Sequence, residues 1–386
     1  MMRGLLIAAM CLAGVSCVAA EPVRVGIVAT LSGSSGALGQ HARDGFLLGL
    51  KQHGGKFGDR AAEISIVDDL RNPQAIGDTV AALIKTRRKD IILGPLFPEM
   101  IGPALKAATE GKAIMLSPHS GPADLAGKRC QPNFLSLAPQ DDEAIEVLAK
   151  YAEDRKLNRA IIVSTAGDEA DTAATAFTRA FKGEVADRIL IKPDATDFAE
   201  QINRIDINRP QALFLHMRGD VTARFLAAFN QSGAASGLVL LGSTGFDEAE
   251  LGAHQGASVG VYTAGDWGYG LQTPQNTVFI AAFEAEYGYA PGVVAMHAYD
   301  AALMIDSAVR ALKGDIADRA ALTDALKQAD IVSPRGKFTF GNNNFPINDM
   351  YLSHVEARGD GQVRTAIVSQ VFAQYGDHYA ADCPLK

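Results

Sequence analysis

Residues 23–29 read VRVGIVA, and residues 31–36, which follow, read LSGSSG. A near-continuous β-branched run followed by small, turn-forming residues is a strand that ends in a loop. The stretch from about Ala37 to Gln52 then has helical period. The same grammar continues outward. EISIV (63–67) ends in Asp68-Asp69, and Asn72-Pro73 supplies an N-cap and a first-turn proline for a helix with Ile76, Val80, Leu83 and Ile84 on one face. DIIL (90–93) breaks at Gly94-Pro95, and AIML (113–116) breaks at Ser117-Pro118. Asp141 is expected to cap a helix with Ile145, Leu148, Ala149 and Ala152 on one stripe. Further strands are expected at Ala160–Val163, Arg188–Ile191, Ala212–Leu215, Leu238–Leu241 and Ser258–Tyr262, and an extended segment at Met350–Val355. Uniformly apolar strands alternating with helices require a parallel sheet covered on both faces, so the chain reads as α/β with two doubly wound lobes.

The chain of 386 residues, 48% hydrophobic and 21% charged, is large enough for two cores. Residues 1–20 read as a secretory signal peptide: Arg3 precedes an apolar core from Leu5 to Val15, and Val18-Ala19-Ala20 offers small residues before Glu21. Lipoprotein processing at Cys17 is the alternative. Without those residues 35 basic and 44 acidic side chains remain, a net charge of −9. An acidic chain without basic runs is a poor partner for nucleic acid or an anionic membrane. Cys11 and Cys17 fall in the leader, leaving Cys130 and Cys383 in an oxidising compartment, where an even pair reads as a disulfide.

No zinc-ligand spacing, Walker loop or G-x-G-x-x-G occurs, so neither metal nor cofactor is expected. Gly256-Ala-Ser258-Val-Gly260 matches G-x-S-x-G, but Ser258 reads as opening a strand rather than a strand-to-helix elbow, so no nucleophile is assigned there. In open parallel sheets ligands bind beyond the strands' carboxyl ends. Those ends carry Phe97, Ser117, His119, Ser120, Gly121, Thr165 to Asp168, Arg218, Thr244 and Phe246. Arg218 suits bidentate capture of a carboxylate. Phe97, Phe246 and Trp267 are candidates for an apolar wall. Ser117, His119 and Asp168 are nominal partners should the chain be an enzyme, a reading disfavoured here.

These residues resemble the periplasmic substrate-binding proteins of ABC importers, in the leucine/isoleucine/valine-binding branch with type I topology. The likeness spans nearly all of the chain after the leader. It rests on the order and spacing of Val25–Gly33, the acidic pair in VDDLRNP (67–73), LGPL (93–96), MLSP (115–118) and Asp141-Asp142. The resemblance implies two Rossmann-like lobes joined by three hinge crossovers near Ala138, Gly265–Gly268 and Ile347–Asp349, with residues 21–138 plus 268–347 in lobe 1 and 139–267 plus 348–386 in lobe 2. It further implies a monomeric, non-enzymatic periplasmic protein that closes over a small ligand and docks on a membrane permease. A sensor feeding a signalling partner would share the fold.

The chain departs from amino-acid binders where they hold the α-carboxylate and α-ammonium. Pro98 and Gly121 match their lobe 1 hydroxyls, and Arg218 and Thr244 match their lobe 2 tyrosine and glutamate. An ammonium left unpaired in a desolvated cleft costs on the order of several kcal/mol, comparable to the ~8 kcal/mol of a micromolar complex. The expected ligand is therefore a carboxylate without an α-ammonium, aromatic or otherwise planar. The alternative is a conventional branched-chain amino acid. The candidate site is Phe97, Ser117, His119, Ser120, Gly121, Asp168, Arg218, Thr244, Phe246 and Trp267.

Overall fold

The computed structural model describes residues 21–254, 256–359 and 361–385, with the side chain of Asp168 excepted. The expected leader and Cys17 lie outside the described residues.

Two sheets organise the chain. The first is assembled from β1 (Val23–Ala29), α1 (Gly36–Gln52), β2 (Lys56–Phe57), β3 (Arg60–Asp68), α2 (Ile76–Arg87), β4 (Ile91–Leu93), α3 (Pro98–Glu110), β5 (Ile114–Ser117), α4 (Ala123–Ala126) and β6 (Phe134–Ser136). Its strand order is β2-β3-β1-β4-β5-β6, parallel apart from the β2–β3 hairpin. The chain then leaves for the second sheet through α5 (Asp141–Asp154), β7 (Arg159–Thr165), α6 (Asp168–Ala180), β8 (Glu184–Ile191), α7 (Ala199–Asn208), β9 (Ala212–His216), α8 (Asp220–Gln231), β10 (Val239–Thr244) and β11 (Val261–Gly265). It returns to the first lobe with α9 (Pro274–Tyr287), α10 (Val293–Ala311) and α11 (Arg319–Lys327), and crosses back through β12 (Thr339–Phe340), β13 (Pro346–Ala357) and β14 (Val363–Tyr375). The second sheet runs β12-β13-β11-β10-β9-β7-β8, with β14 on β13; β7 to β11 are parallel and β12 to β14 antiparallel.

The parallel strands are buried on both faces, which explains their apolar runs: Val25, Ile27, Ile92, Met115, Ile161, Val163, Leu213 and Leu215 are all at 0–1% exposure. Helices α1 and α10 pack tightly over the first sheet. Gly45 permits this, since a Cβ there would lie 2.0 Å from the carbonyl oxygen of Ala295.

Several expectations need correction. The helix after Asn72-Pro73 begins at Ile76; the Asn72 side chain instead accepts the N–H groups of Gln74 and Ala75 in the preceding turn. Gln140, not Asp141, caps α5: it accepts the Asp142 N–H while Glu143 reaches back to the Gln140 N–H, a capping box. Ser258 is buried in a turn, and its strand starts at Val261. The final segment does not stay with lobe 2. After β14 it crosses to lobe 1, where Tyr379 packs against the first core and Cys383 is bonded to Cys130.

Candidate functional site

Where the carboxyl ends of the two sheets face each other lies a cavity of about 1000 Å³, within the size range of small-molecule sites. The lobes touch around it. Arg218 Nη1 from lobe 2 lies 3.3 Å from His119 Nε2 of lobe 1, and the Val293 N–H at the start of α10 donates to Asp247 Oδ2 at 3.0 Å. An arginine only donates, so His119 Nε2 is the acceptor and the ring is neutral. Burial and the neighbouring Arg218 accordingly pull the His119 pKa down to about 3.

The cavity lining mixes charged and apolar groups. His119, Arg71, Glu99, Glu169, His216 and Arg218 are among the former; Ala138, Ile145, Ala173, Ala264, Val293 and Met350 are among the latter, of which Ile145, Ala173 and Met350 also belong to the lobe 2 core. Arg218 Nε pairs with Glu169 Oε2 at 3.1 Å. Burial alone raises the Glu169 pKa, but Arg218 and His216 outweigh it and hold the carboxyl far below its usual range. On the lobe 1 side, Arg71 Nε pairs with Glu99 at 2.9 Å, and its guanidinium lies 3.9 Å over the Phe97 ring.

Arg71 is aimed by a strained loop at the end of β3. Leu70 and Arg71 are both left-handed, at φ 53° and 49°, which costs about 1–3 kcal/mol for each non-glycine residue. The acidic pair offsets that cost. Asp68 Oδ1 accepts the N–H groups of Leu31 and Leu70, while Asp69 Oδ1 accepts the Arg71 N–H and the Thr30 hydroxyl.

Of the expected site residues, His119, Arg218 and Thr244 line this cavity together. The lobe 1 donors do not reach it free. The Ser117 hydroxyl donates to the Ser120 carbonyl at 2.6 Å, and Asp141 takes both the Ser120 hydroxyl and the Gly121 N–H, the latter at 2.7 Å. At Gly121 a Cβ would lie 2.7 Å from Phe345 and from the Pro139 carbonyl oxygen, so the backbone there is wedged against the hinge. The aromatics expected as a wall are core residues. Phe97 lies beneath Arg71 and edge-on to His119; Phe246 packs against His254; Trp267 joins the Phe279–Phe283 cluster and donates its indole N–H to Asn276 at 2.7 Å. The backbone of Asp168 opens α6; its side chain lies outside the described part.

Acidic groups that the reading of Thr244 did not count also stand in the cleft. Glu169 and Asp141 both line it, with burial pushing Asp141 up to about 6 against the hydrogen bonds from Gly121 and Ser120. Glu250, near Arg218 and Arg71, is pushed up to about 7 by burial and by Asp247.

Behind the cavity the crossovers are bolted together by buried charge. Arg335 Nη1 donates to Asp266 at 2.5 Å and to the Leu137 carbonyl at 2.7 Å, and Arg335 Nε lies 3.1 Å from Asp300. His297 places Nδ1 2.9 Å from the Pro118 carbonyl and Nε2 3.0 Å from Asp266. Arg335 and His297 thus tie Asp266, Asp300 and the Leu137 and Pro118 carbonyls into one buried network.

A second concavity, about 780 Å³, lies between α7 and α8 on the outer side of lobe 2, lined by Phe198, Ile202 and Ala228. It is lined by residues of lobe 2 alone.

Two α/β lobes that close a cavity against a triple crossover define a cleft-type binding protein. The chain belongs to the periplasmic binding protein family, whose sequence profile matches residues 22–361. It is similar to the "Leu/Ile/Val-binding protein homolog 6" of Brucella suis, 25% identical over 372 residues and 93% of each chain. Among solved structures, an ABC transporter solute-binding protein of R. palustris in complex with benzoate has 24% identity and TM-score 0.85, covering 93% of this chain and 99% of that one. The branched-chain amino acid transporter substrate-binding protein LivJ of Streptococcus pneumoniae in complex with isoleucine has 17% identity and TM-score 0.80, covering 90% and 99%. At those identities the likeness establishes the fold. The family consists of binding proteins, not enzymes.

Proposed function

We propose that the protein is the periplasmic solute-binding component of an ABC importer and that it closes over a small carboxylate without an α-ammonium, an aromatic acid being the best fit. The observation that carries this reading is the lining of the interlobe cavity. Arg218 lines it together with Ala264 and Val293, which are partly exposed and can pack against a flat ring. The benzoate held by the R. palustris relative is a ligand of this shape. Periplasmic residence and delivery to a membrane permease follow from the same reading.

A second reading, a conventional amino acid, is favoured by Asp141, whose carboxyl lines the cavity and can pair with an ammonium. Calorimetric titration of Arg218→Ala with benzoate tests the first reading. Losing a desolvated charge-assisted pair weakens binding by roughly 2–4 kcal/mol, and an unchanged Kd removes Arg218 from the site.

A further inference from the structure

We infer that Arg71 is a second carboxylate-gripping residue, and that it and Arg218 hold one ligand carboxylate from opposite lobes. The inference rests on the carboxylate reading above and adds a residue and a closing device to it. Three observations carry it.

First, the two guanidiniums share one place. Their central carbons lie 3.9 and 5.9 Å from the centre of the Phe97 ring, so they are at most about 10 Å apart, and both act on Glu169 and Glu250. That span admits one bridging carboxylate. Second, each guanidinium keeps one nitrogen without an acceptor. Arg71 spends Nε on Glu99 and Nη1 on Ser35; Arg218 spends Nε on Glu169 and Nη1 on His119. Among the described residues neither Nη2 has an acceptor, and both side chains line the cavity. Third, Arg71 is held in place at a conformational cost. Two consecutive left-handed residues, fixed by Asp68 and Asp69, present it, and Phe97 supports its flat face. A guanidinium that served only as a surface ion pair would need neither device.

The consequence is mechanical as well as chemical. A carboxylate with one oxygen on each lobe's arginine is itself a bond across the cleft, so an isosteric carboxamide should neither bind well nor close the lobes.

The test is calorimetry with benzoate and benzamide on the full mature chain and on Arg71→Met, Arg71→Lys and Glu99→Gln, with small-angle scattering to read closure. The expected result is at least thirty-fold weaker benzoate binding in Arg71→Met with loss of ligand-induced compaction. Arg71→Lys should be intermediate, and Glu99→Gln should bind benzoate at least as tightly as the parent, since it releases Arg71 from its internal partner. Benzamide should bind no form. Parent-like melting of the variants separates lost contact from lost fold. Benzoate binding within threefold of the parent in Arg71→Met, with the parent itself binding, overturns the Arg71 assignment alone. A parent that binds neither benzoate nor leucine overturns the carboxylate reading and the clamp with it.

Discussion

Replacing Arg335 by Met strikes the buried charge cluster that joins the crossovers. The side chains of Arg335, Asp266, Asp300 and His297 are 1%, 1%, 0% and 2% exposed, so solvent does not screen the loss. With Arg335 gone, Asp300 loses its only cationic contact among the described residues and keeps only the Ser333 hydroxyl, and Asp266 keeps only His297. Breaking a buried pair by removing one partner costs about 3–5 kcal/mol. Here two carboxylates are affected, so the upper half of that range is expected. Urea denaturation followed by far-ultraviolet circular dichroism measures it, with the double variant Arg335→Met/Asp300→Asn as the internal control. Removing one carboxylate along with the cation should recover at least about 1 kcal/mol, since it restores the charge balance. A single-variant loss below about 1 kcal/mol, or no recovery in the double variant, refutes the view that these four groups stabilise the hinge as a coupled unit.

Three further outcomes are expected. His41 accepts the Gly292 N–H in the first core, and burial lowers its pKa to about 4. Its folded value lies below the ordinary 6.5, so the stability it contributes is present above pH 6.5 and lost as pH falls towards 4; the stability difference between parent and His41→Gln should shift by roughly 3 kcal/mol between pH 7.5 and 4, and a flat difference contradicts the assignment. Cys383→Ser releases the tail from Cys130 across a separation of 253 residues and should lower stability by about 2–4 kcal/mol, read by denaturation of the parent with and without reductant. Asp247→Ala removes the carboxylate that receives the α10 N-terminus across the cleft and should weaken ligand affinity by about 1 kcal/mol, read by calorimetry; an unchanged affinity contradicts a role for this contact in closure.

The parallel strands were legible because burial on both faces leaves uniformly apolar runs, as in Val23–Ala29 and Ala212–His216. Strand β14 was not: it lies over the sheet edge with most residues partly or fully exposed, so Val363–Tyr375 shows no apolar run. Arg218 and His119 were found because they follow strand ends directly. Arg71 follows one too, but the acidic pair drew attention to itself, and only its hydrogen bonds reveal that it serves to aim Arg71. Aromatic residues misled for a simple reason. A phenylalanine at a strand end looks the same in sequence whether it faces a cleft or the core, and Phe246 and Trp267 face the core. The lobe 1 donors were misjudged because their acceptor, Asp141, lies twenty residues beyond Gly121, a pairing that no local pattern encodes.

The most direct test of the carboxylate reading is calorimetric titration of the parent protein with benzoate and with leucine at pH 8 and pH 6. Asp141 at about 6 and Glu250 at about 7 lie beside Arg218. Lowering the pH protonates them and removes negative charge that competes for Arg218, while benzoate itself stays ionised. The account predicts that benzoate binds, that its affinity rises several-fold from pH 8 to pH 6, and that leucine binds weakly or not at all. Tight leucine binding that weakens towards pH 6, with no response to benzoate, would show that Asp141 receives an ammonium and would contradict the account.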